Sequence, residues 1–394
     1  MTRVAILSAV RTPIGRFLGS FQDLSAADLG VAAVTPALER SGLSADAVDE
    51  VFVGNGRQAG GGPNVARQIS VRSGIPETVC ATTVNMACGS GLKSIGLGAD
   101  AIRLGRADVV VAAGTESMSG LPFMLPKMRQ GYRLGHAPLV DGMYKDGFVC
   151  PLADMVMGET AEKLAQDLGI SRLEQDEYGA MSQARAAAAI DAGRFADEIA
   201  SVTVPGRKGD TIVEADEHPR PEATVEKMGK LPAVFAKDGT VTAGNSSGIT
   251  DGAAAMVLAS EAAVERAGVT PLAWVGEARQ GGVDPKIMGI GPVPACKSLQ
   301  EANGLGVGDY DLVELNEAFA AQVLACDRDL AFDREKLNVN GGSIALGHPI
   351  GATGVRIVVT LLQELRRRGG THGLATLCIS GGMGLAAHFH REGL

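Results

Sequence analysis

Two distant stretches of the chain repeat one pattern of apolar and polar positions. In residues 84–118, Leu92, Ile95, Ala99 and Ile102 share a helical stripe. In residues 339–384, Val355, Val358, Leu362 and Leu365 repeat the same offsets of three, seven and ten. Each predicted helix follows a glycine-rich turn. Each ends near a capping glycine, Gly105 or Gly369, the second preceded by Arg366, Arg367 and Arg368, which suit the last-turn dipole. Each then gives way to a continuous apolar run, Val109–Ala113 or Leu374–Cys378, that reads as a buried strand. A second pairing agrees: Asp49–Asn55 resembles Asp311–Asn316, about 260 residues later. The pattern predicts two homologous α/β halves, each a mixed sheet covered by helices. A helix as apolar all round as Leu92–Leu104 belongs between two sheets.

The chain opens on a predicted strand, Val4 to Val10, with no charged-then-apolar leader pattern. Pro36 interrupts the helical pattern of Ser25–Arg40 and predicts a kink or an end near Thr35. Between the halves, from about Ser119 to Gly248, turns and charges dominate, with helical runs at Thr160–Leu168 and at Ser171–Ala192, Ser171 serving as N-cap. Such an insertion on a rigid scaffold is suited to ligand binding.

Composition narrows the class. The 394 residues carry 36 Lys+Arg against 45 Asp+Glu, a net charge of −9, which leaves no overall basic footprint for nucleic acid or an anionic membrane. No apolar run is long enough to span a bilayer. The six cysteines are dispersed without a CxxC, so neither a disulfide framework nor a zinc site is expected, and a reducing compartment, the cytoplasm, is. The 53 glycines imply many tight turns and close backbone approaches.

The candidate chemistry sits at the ends of the repeated units. Cys88, in Asn85-Met86-Ala87-Cys88-Gly89-Ser90-Gly91, lies at a strand-to-helix turn, where backbone N–H groups favour a thiolate; it reads equally as an inert buried thiol. Cys378 ends a buried strand before Ile379-Ser380-Gly381-Gly382, a turn able to present N–H donors, or is a core cysteine. His348, in Gly347-His348-Pro349, is a fixed turn histidine with or without a task. Asn316 can orient a water or a carbonyl, and Glu317 a histidine; the pair also reads as a capped helix start. His136, His218, His372, His388 and His390 have no neighbours at metal-ligand spacing, so no metal is expected. The repeat changes the balance. Cys88 stands four before Leu92, the matching place is Gly351, four before Val355, and His348 is three residues away. If the halves pack about a pseudo-twofold axis, Cys88, His348, Cys378 and Asn316 converge as an acyl-transfer constellation.

These segments, with Gly114-Thr115-Glu116-Ser117-Met118, Asn316–Ala320, Asn340–Gly354 and Cys378–Gly384 in order, resemble the thiolase family end to end. Lys145-Asp146-Gly147, Met157-Gly158 and Ala243–Gly248 look most like its acetyl-CoA acetyltransferase branch. The resemblance implies a duplicated, five-layered αβαβα fold. It divides the chain into an N-terminal half at 1–119, completed by about 249–269, an inserted loop domain at 120–248 for coenzyme A binding and oligomerisation, and a C-terminal half at 270–394. It implies a reversible ping-pong condensation of two acetyl-CoA to acetoacetyl-CoA and coenzyme A, with coenzyme A thioesters as substrates and no cofactor. Cys88 would be the acylated nucleophile and His348 its base. Cys378 would exchange a proton with the second substrate. Asn316 would hold a water that forms one oxyanion hole with His348, and the N–H groups of Cys88 and Ser380 the other. Arg220 and Ser247 would bind coenzyme A, with Met157, Phe235, Ala243, Met288, Ala318 and Phe319 along the pantetheine channel; Arg207, Lys208, Lys227 and Lys230 add positive charge. The 120–145 stretch resembles a tetramerisation loop, which implies a homotetramer.

Two departures stand out. Val156 occupies a place where the acetoacetyl-specific branch has histidine, which would admit longer or branched acyl groups. Ser380 replaces a glycine, with strain if that position needs positive φ. The rival readings are a broader 3-ketoacyl-CoA thiolase of fatty-acid degradation and a non-catalytic acyl-CoA or lipid carrier. A decarboxylating condensing enzyme fits less well, because Cys378 stands where such enzymes tend to carry a second histidine.

Overall fold

The computed structural model describes residues 2–394. The N-terminal half is built on strands β1 (Val4–Arg11), β2 (Glu50–Gly54), β3 (Cys80–Val84), β4 (Val109–Glu116) and β5 (Thr250–Ser260), in the order β1-β5-β4-β2-β3. The C-terminal half uses β6 (Ala273–Gly282), β7 (Leu312–Leu315), β8 (His372–Ile379) and β9 (Met383–His390), in the order β6-β9-β8-β7. The pairings repeat. β4 and β2 are parallel and β4 and β5 antiparallel; β8 and β7 are parallel and β8 and β9 antiparallel. β1 meets β6 through Ala5–Trp274 and Ile6–Ala273, which joins the two sheets edge to edge.

The apolar clusters mark five layers. Helices α3 (Ser90–Arg103) and α8 (Ile350–Arg368) lie in the middle. Leu92, Ile95, Val355, Val358 and Leu362 share one core with Val110 and Ala112 of the first sheet and Ala375 and Leu377 of the second. The alternate residues Val109, Val111 and Ala113 face outward onto α1 (Ala26–Ser41) and α2 (Val65–Arg72). On the far side, Val313, Leu315 and Leu374 pack on α6 (Pro292–Asn303) and α7 (Ala320–Leu330). The apolar-all-round pattern of α3 and α8 thus has its physical reason, a sheet on either side.

A polar detail repeats with the fold. The Asp49 carboxylate accepts from the Asp108 and Val109 N–H groups at 2.7 and 2.9 Å, which ties the start of β2 to the start of β4. Asp311 accepts from Thr371 and His372 at 2.7 and 2.9 Å and does the same for β7 and β8. The similarity of the two Asp-led strands is therefore structural.

The inserted segment contributes α4 (Met157–Leu168) and α5 (Arg172–Asp191), the latter opened by a Ser171–Glu174 capping box. It is fastened to β1 by the fully buried Arg11, whose Nε donates to Glu198 at 2.6 Å and whose Nη atoms donate to Asp216 at 2.7 and 2.9 Å. No helix among the described residues is long and apolar enough to cross a membrane.

The expected end near Thr35 is absent: α1 runs on through Pro36 to Ser41. Pro36, which cannot donate to the Ala32 carbonyl, lies with Ala32 on the half-exposed side of the helix. On the other side Ala33, Val34 and Ala37 are fully buried against the sheet, and that packing outweighs the lost hydrogen bond.

Candidate active site

The two central helices meet through glycine at their N-terminal ends. A Cβ on Gly91 would lie 2.8 Å from the Gly351 carbonyl, and one on Gly354 would lie 2.2 Å from the Leu92 nitrogen. Backbone touches backbone there, and the turns that open the two helices carry Cys88 and His348. Ile379, next to Cys378, packs so closely on Gly89 that a Cβ there would be 2.6 Å from its Cδ1. Three segments far apart in the chain thereby pack against one another.

Cys88 is half-buried beside Met118, Met143 and Ile350. Ala87 before it sits at φ +46°, a strained setting for a non-glycine residue, held by its N–H donating to the Asn85 side chain at 3.0 Å. Burial pushes the thiol up. Opposing this are the charge of Arg57 and the nearby backbone N–H groups of Ser380 and of Cys88 itself, which favour the thiolate. These are the donors the sequence nominates for the second oxyanion hole. Ser380 is not among the residues with positive φ; Gly381 and Gly382 take that conformation at +93° and +85°, so the feared strain is absent. Cys378 is buried, and burial followed by the charge of Cys88 holds its thiol well above the usual range.

His348 is buried with its Nε2 unpartnered. Its Nδ1 lies 2.7 Å from the Thr353 hydroxyl, which itself donates to the Pro349 carbonyl at 3.0 Å. A hydroxyl has one proton to give, so Thr353 accepts from Nδ1–H and Nε2 keeps a free lone pair. Burial, then Arg356 and Arg57, push the imidazole down to about 3. It is neutral at physiological pH, the form a base requires.

Asn316 is fully buried. Its Oδ1 accepts from Ser343 at 2.6 Å, and its Nδ2 has no partner. Ser343 in turn accepts from Arg356 Nη2 at 2.9 Å, which fixes the amide so that its NH2 is free to donate. Glu317 does not orient the histidine. Its carboxylate accepts from Tyr178, Ser182, Asn338 and the Ile344 N–H, and braces α5 against the second half.

The residues nominated for coenzyme A fall into two groups. Met157, Phe235, Met288, Ala318 and Phe319 form one apolar cluster with Cys378, the Phe235 and Phe319 rings meeting edge to face at 6.1 Å. Arg220 and Ala243 line a separate cleft of about 140 Å³ with His218, Lys227 and Leu231. Ser247 stands between, its N–H donating to Ala318 at 3.0 Å. Of the other basic residues, Lys230 is paired with Glu226, and Arg207 and Lys208 lie on a hairpin turn away from the cleft.

Sequence reasoning missed several contributors. Thr353 and Ser343 orient the histidine and the asparagine, yet no spacing marks them. Glu116 accepts from Asn55, Gly56 and Arg57 of the first half and from Gly351 of the second at 2.6 to 3.1 Å, a buried clamp across the site. Arg57 supplies charge to Cys88, Glu116 and His348 alike. The sheet also brings His372, His388 and His390 together, a grouping that spacing along the chain does not show for His372. Among the described residues no group of side chains is arranged to hold a metal.

Known proteins resemble the chain over its whole length. The family model for the thiolase N-terminal domain matches residues 4–262, and that for the thiolase C-terminal domain matches 269–391. A protein of Escherichia coli (strain K12) named acetyl-CoA acetyltransferase is 51% identical over 392 residues, 99% of this chain and 100% of its own. One of the same name from Pseudomonas aeruginosa is 50% identical over 393 residues, covering 100% of both. Among solved structures, the Bacillus anthracis acetyl-CoA acetyltransferase superposes with a TM-score of 0.97 at 44% identity, over 99% of each chain. Human mitochondrial 3-ketoacyl-CoA thiolase gives 0.96 at 45%, also over 99% of each. With a duplicated αβαβα core and end-to-end matches to both family models, this chain belongs to the thiolase family.

Proposed function

We propose that this acyltransferase is an acetyl-CoA C-acetyltransferase, which condenses two acetyl-CoA reversibly to acetoacetyl-CoA and coenzyme A. What supports the reading is the packing of the Cys88 turn against both the His348 helix and the Cys378 turn, with His348 Nε2 bare and the backbone N–H groups of Ser380 and Cys88 near the Cys88 sulfur. His348 Nε2 takes the Cys88 proton. The thiolate attacks the thioester carbonyl, and the N–H groups of Cys88 and Ser380 hold the oxygen as it gains charge. Coenzyme A leaves as its thiolate and takes the proton of the Cys378 thiol, and Cys88 carries the acetyl group. Cys378, now a thiolate that burial makes a strong base, removes a proton from the α-carbon of the second thioester. Asn316 Nδ2, through a water, and the Nε2–H that His348 gained from Cys88 support the enolate oxygen; the enolate carbon attacks the acetyl–Cys88 carbonyl, and the Cys88 thiolate it expels takes its proton back from His348. Arg220 and Ser247 bind the nucleotide end of coenzyme A, and the apolar cluster around Met157, Phe235, Met288 and Phe319, with Ala318, receives the pantetheine.

One observation favours a broader chain-length range. Val156, half-buried beside Met157, offers an apolar side chain next to the acyl path. Incubation with acyl-CoA esters of increasing length, read by mass of the Cys88 peptide and by thiolysis rate, decides. Acetyl labelling of Cys88 with fastest turnover on acetoacetyl-CoA is expected. Preference for medium chains would favour the 3-ketoacyl-CoA thiolase reading, and no Cys88 thioester would defeat both.

The segment around 120–145 leaves Phe123, Met128, Leu134 and Leu139 more than half exposed, which suits a face covered in a homotetramer. Light scattering on Leu134→Asp, expected to give smaller particles than the wild type, tests it. Six free cysteines suit a cytoplasmic setting.

A further inference from the structure

Arg57 is buried to 7% exposure, yet its guanidinium is nearly unpartnered. Among the described residues it hydrogen-bonds only the Gly56 carbonyl, through Nη1 at 3.4 Å, and Nε has no partner. Glu116, whose carboxyl feels the Arg57 charge, is held up to about 7 by burial and offsets the cation only in part; a buried cation short of counter-charge is costly. Three contacts place it in the Cys88 pocket. Its own N–H is held by Glu116 at 3.1 Å. Its neighbour Gly56 lies against the Ala87 carbonyl, 3.5 Å from where a Cβ would be. The guanidinium lies on Gly147, where a Cβ would come 2.6 Å from Nε, and the flanking Met143 and Phe148 are among the apolar residues packed with Cys88. One strap thus covers both the cation and the thiol.

Resting on the reading of Cys88 as nucleophile, we propose that Arg57 is the counter-charge of the Cys88 thiolate and prepares the sulfur for attack before substrate arrives. The surroundings fit this role. His348, pressed by Arg57 and Arg356, is a reluctant proton acceptor, so a cation that favours the thiolate lowers the demand on it. The other titratable group acting on Cys88 opposes ionisation: Glu116 carries like charge, its carboxyl held up to about 7 by burial. Among the described residues Arg57 is the cation that acts on this thiol, and it is the largest influence opposing burial.

The test reads the thiol itself. The rate of Cys88 alkylation by iodoacetamide, followed by peptide mass spectrometry across pH, gives its ionisation midpoint in wild type, Arg57→Lys and Arg57→Leu. Expected is an upward shift of about one unit or more in Arg57→Leu, a roughly tenfold slower reaction below both midpoints, with the high-pH plateau retained and Arg57→Lys close to wild type. Exposed Cys80 serves as internal standard, and labelling of buried Cys296 or Cys326 reports unfolding. Should the leucine variant unfold, Arg57→Gln, which is neutral but keeps a polar N–H donor, carries the same comparison. A midpoint unmoved in a folded neutral variant overturns the proposal. Because alkylation needs no turnover, that result stands apart from failure to form an acetyl–Cys88 thioester, which would instead sink the catalytic reading.

Discussion

Replacing Thr353 by valine removes one hydroxyl and almost no volume from a fully buried site. In the wild type that hydroxyl accepts from Nδ1–H of His348 at 2.7 Å, and Nε2 is left bare. Without it, the Nδ1–H is buried with no acceptor, a penalty of about 1–3 kcal/mol. The imidazole escapes by moving its proton to Nε2, the atom that must accept from Cys88. At roughly 1.4 kcal/mol per factor of ten, the competent tautomer falls to about a tenth of the population or less. Acylation of Cys88 by acetyl-CoA, followed by quenched-flow mass spectrometry, should therefore slow about ten- to a hundredfold. Thr353→Ser, which keeps the oxygen, should recover most of the rate. The reasoning fails if the valine variant acylates within twofold of wild type, or if the serine variant is as slow as the valine one.

Ser343→Ala leaves the Asn316 amide oxygen and an Arg356 nitrogen without their shared partner, so it should destabilise the protein by about 2 kcal/mol and slow condensation more than acylation. Thermal midpoints and separate half-reaction rates check this, and an equal loss in both half-reactions would contradict it. Burial pushes the Glu364 carboxyl up, but hydrogen bonds from Arg367, Arg368 and Asn340 more than reverse this and hold it at about 2, below its ordinary 4.5. A depressed carboxyl stabilises the fold above pH 4.5 and loses that contribution as pH falls toward 2. Glu364→Gln should be less stable at neutral pH, and its thermal midpoint should fall less steeply on acidification; parallel curves for the two proteins would refute the assignment.

The duplication is legible in the sequence because α3 and α8 occupy the same kind of place. Each has a sheet on both sides, so each needs apolar residues at the same offsets. The catalytic turns are legible for a related reason: glycines crowd where backbones touch, and Cys88 and His348 stand among them. What orients the chemistry is not. Thr353, Ser343 and Arg57 are single polar residues whose partners are fixed only when the helices cross, and no period along the chain encodes that. Glu317 misled because adjacency to Asn316 suggests a shared task, whereas the strand end turns the two side chains to different partners. Pro36 misled because a local rule was weighed without the packing of Ala33, Val34 and Ala37.

The crossing of α3 and α8 at Gly91, Gly351 and Gly354 leaves no gap in which one half could swing against the other. The turns that carry Cys88 and His348, the proposed nucleophile and base, are therefore held in register by backbone contact, and on that reading adaptation to different acyl tails falls to the 120–248 segment. Exchanging that segment with a relative's should retune substrate choice while the proton-transfer geometry stays as it is.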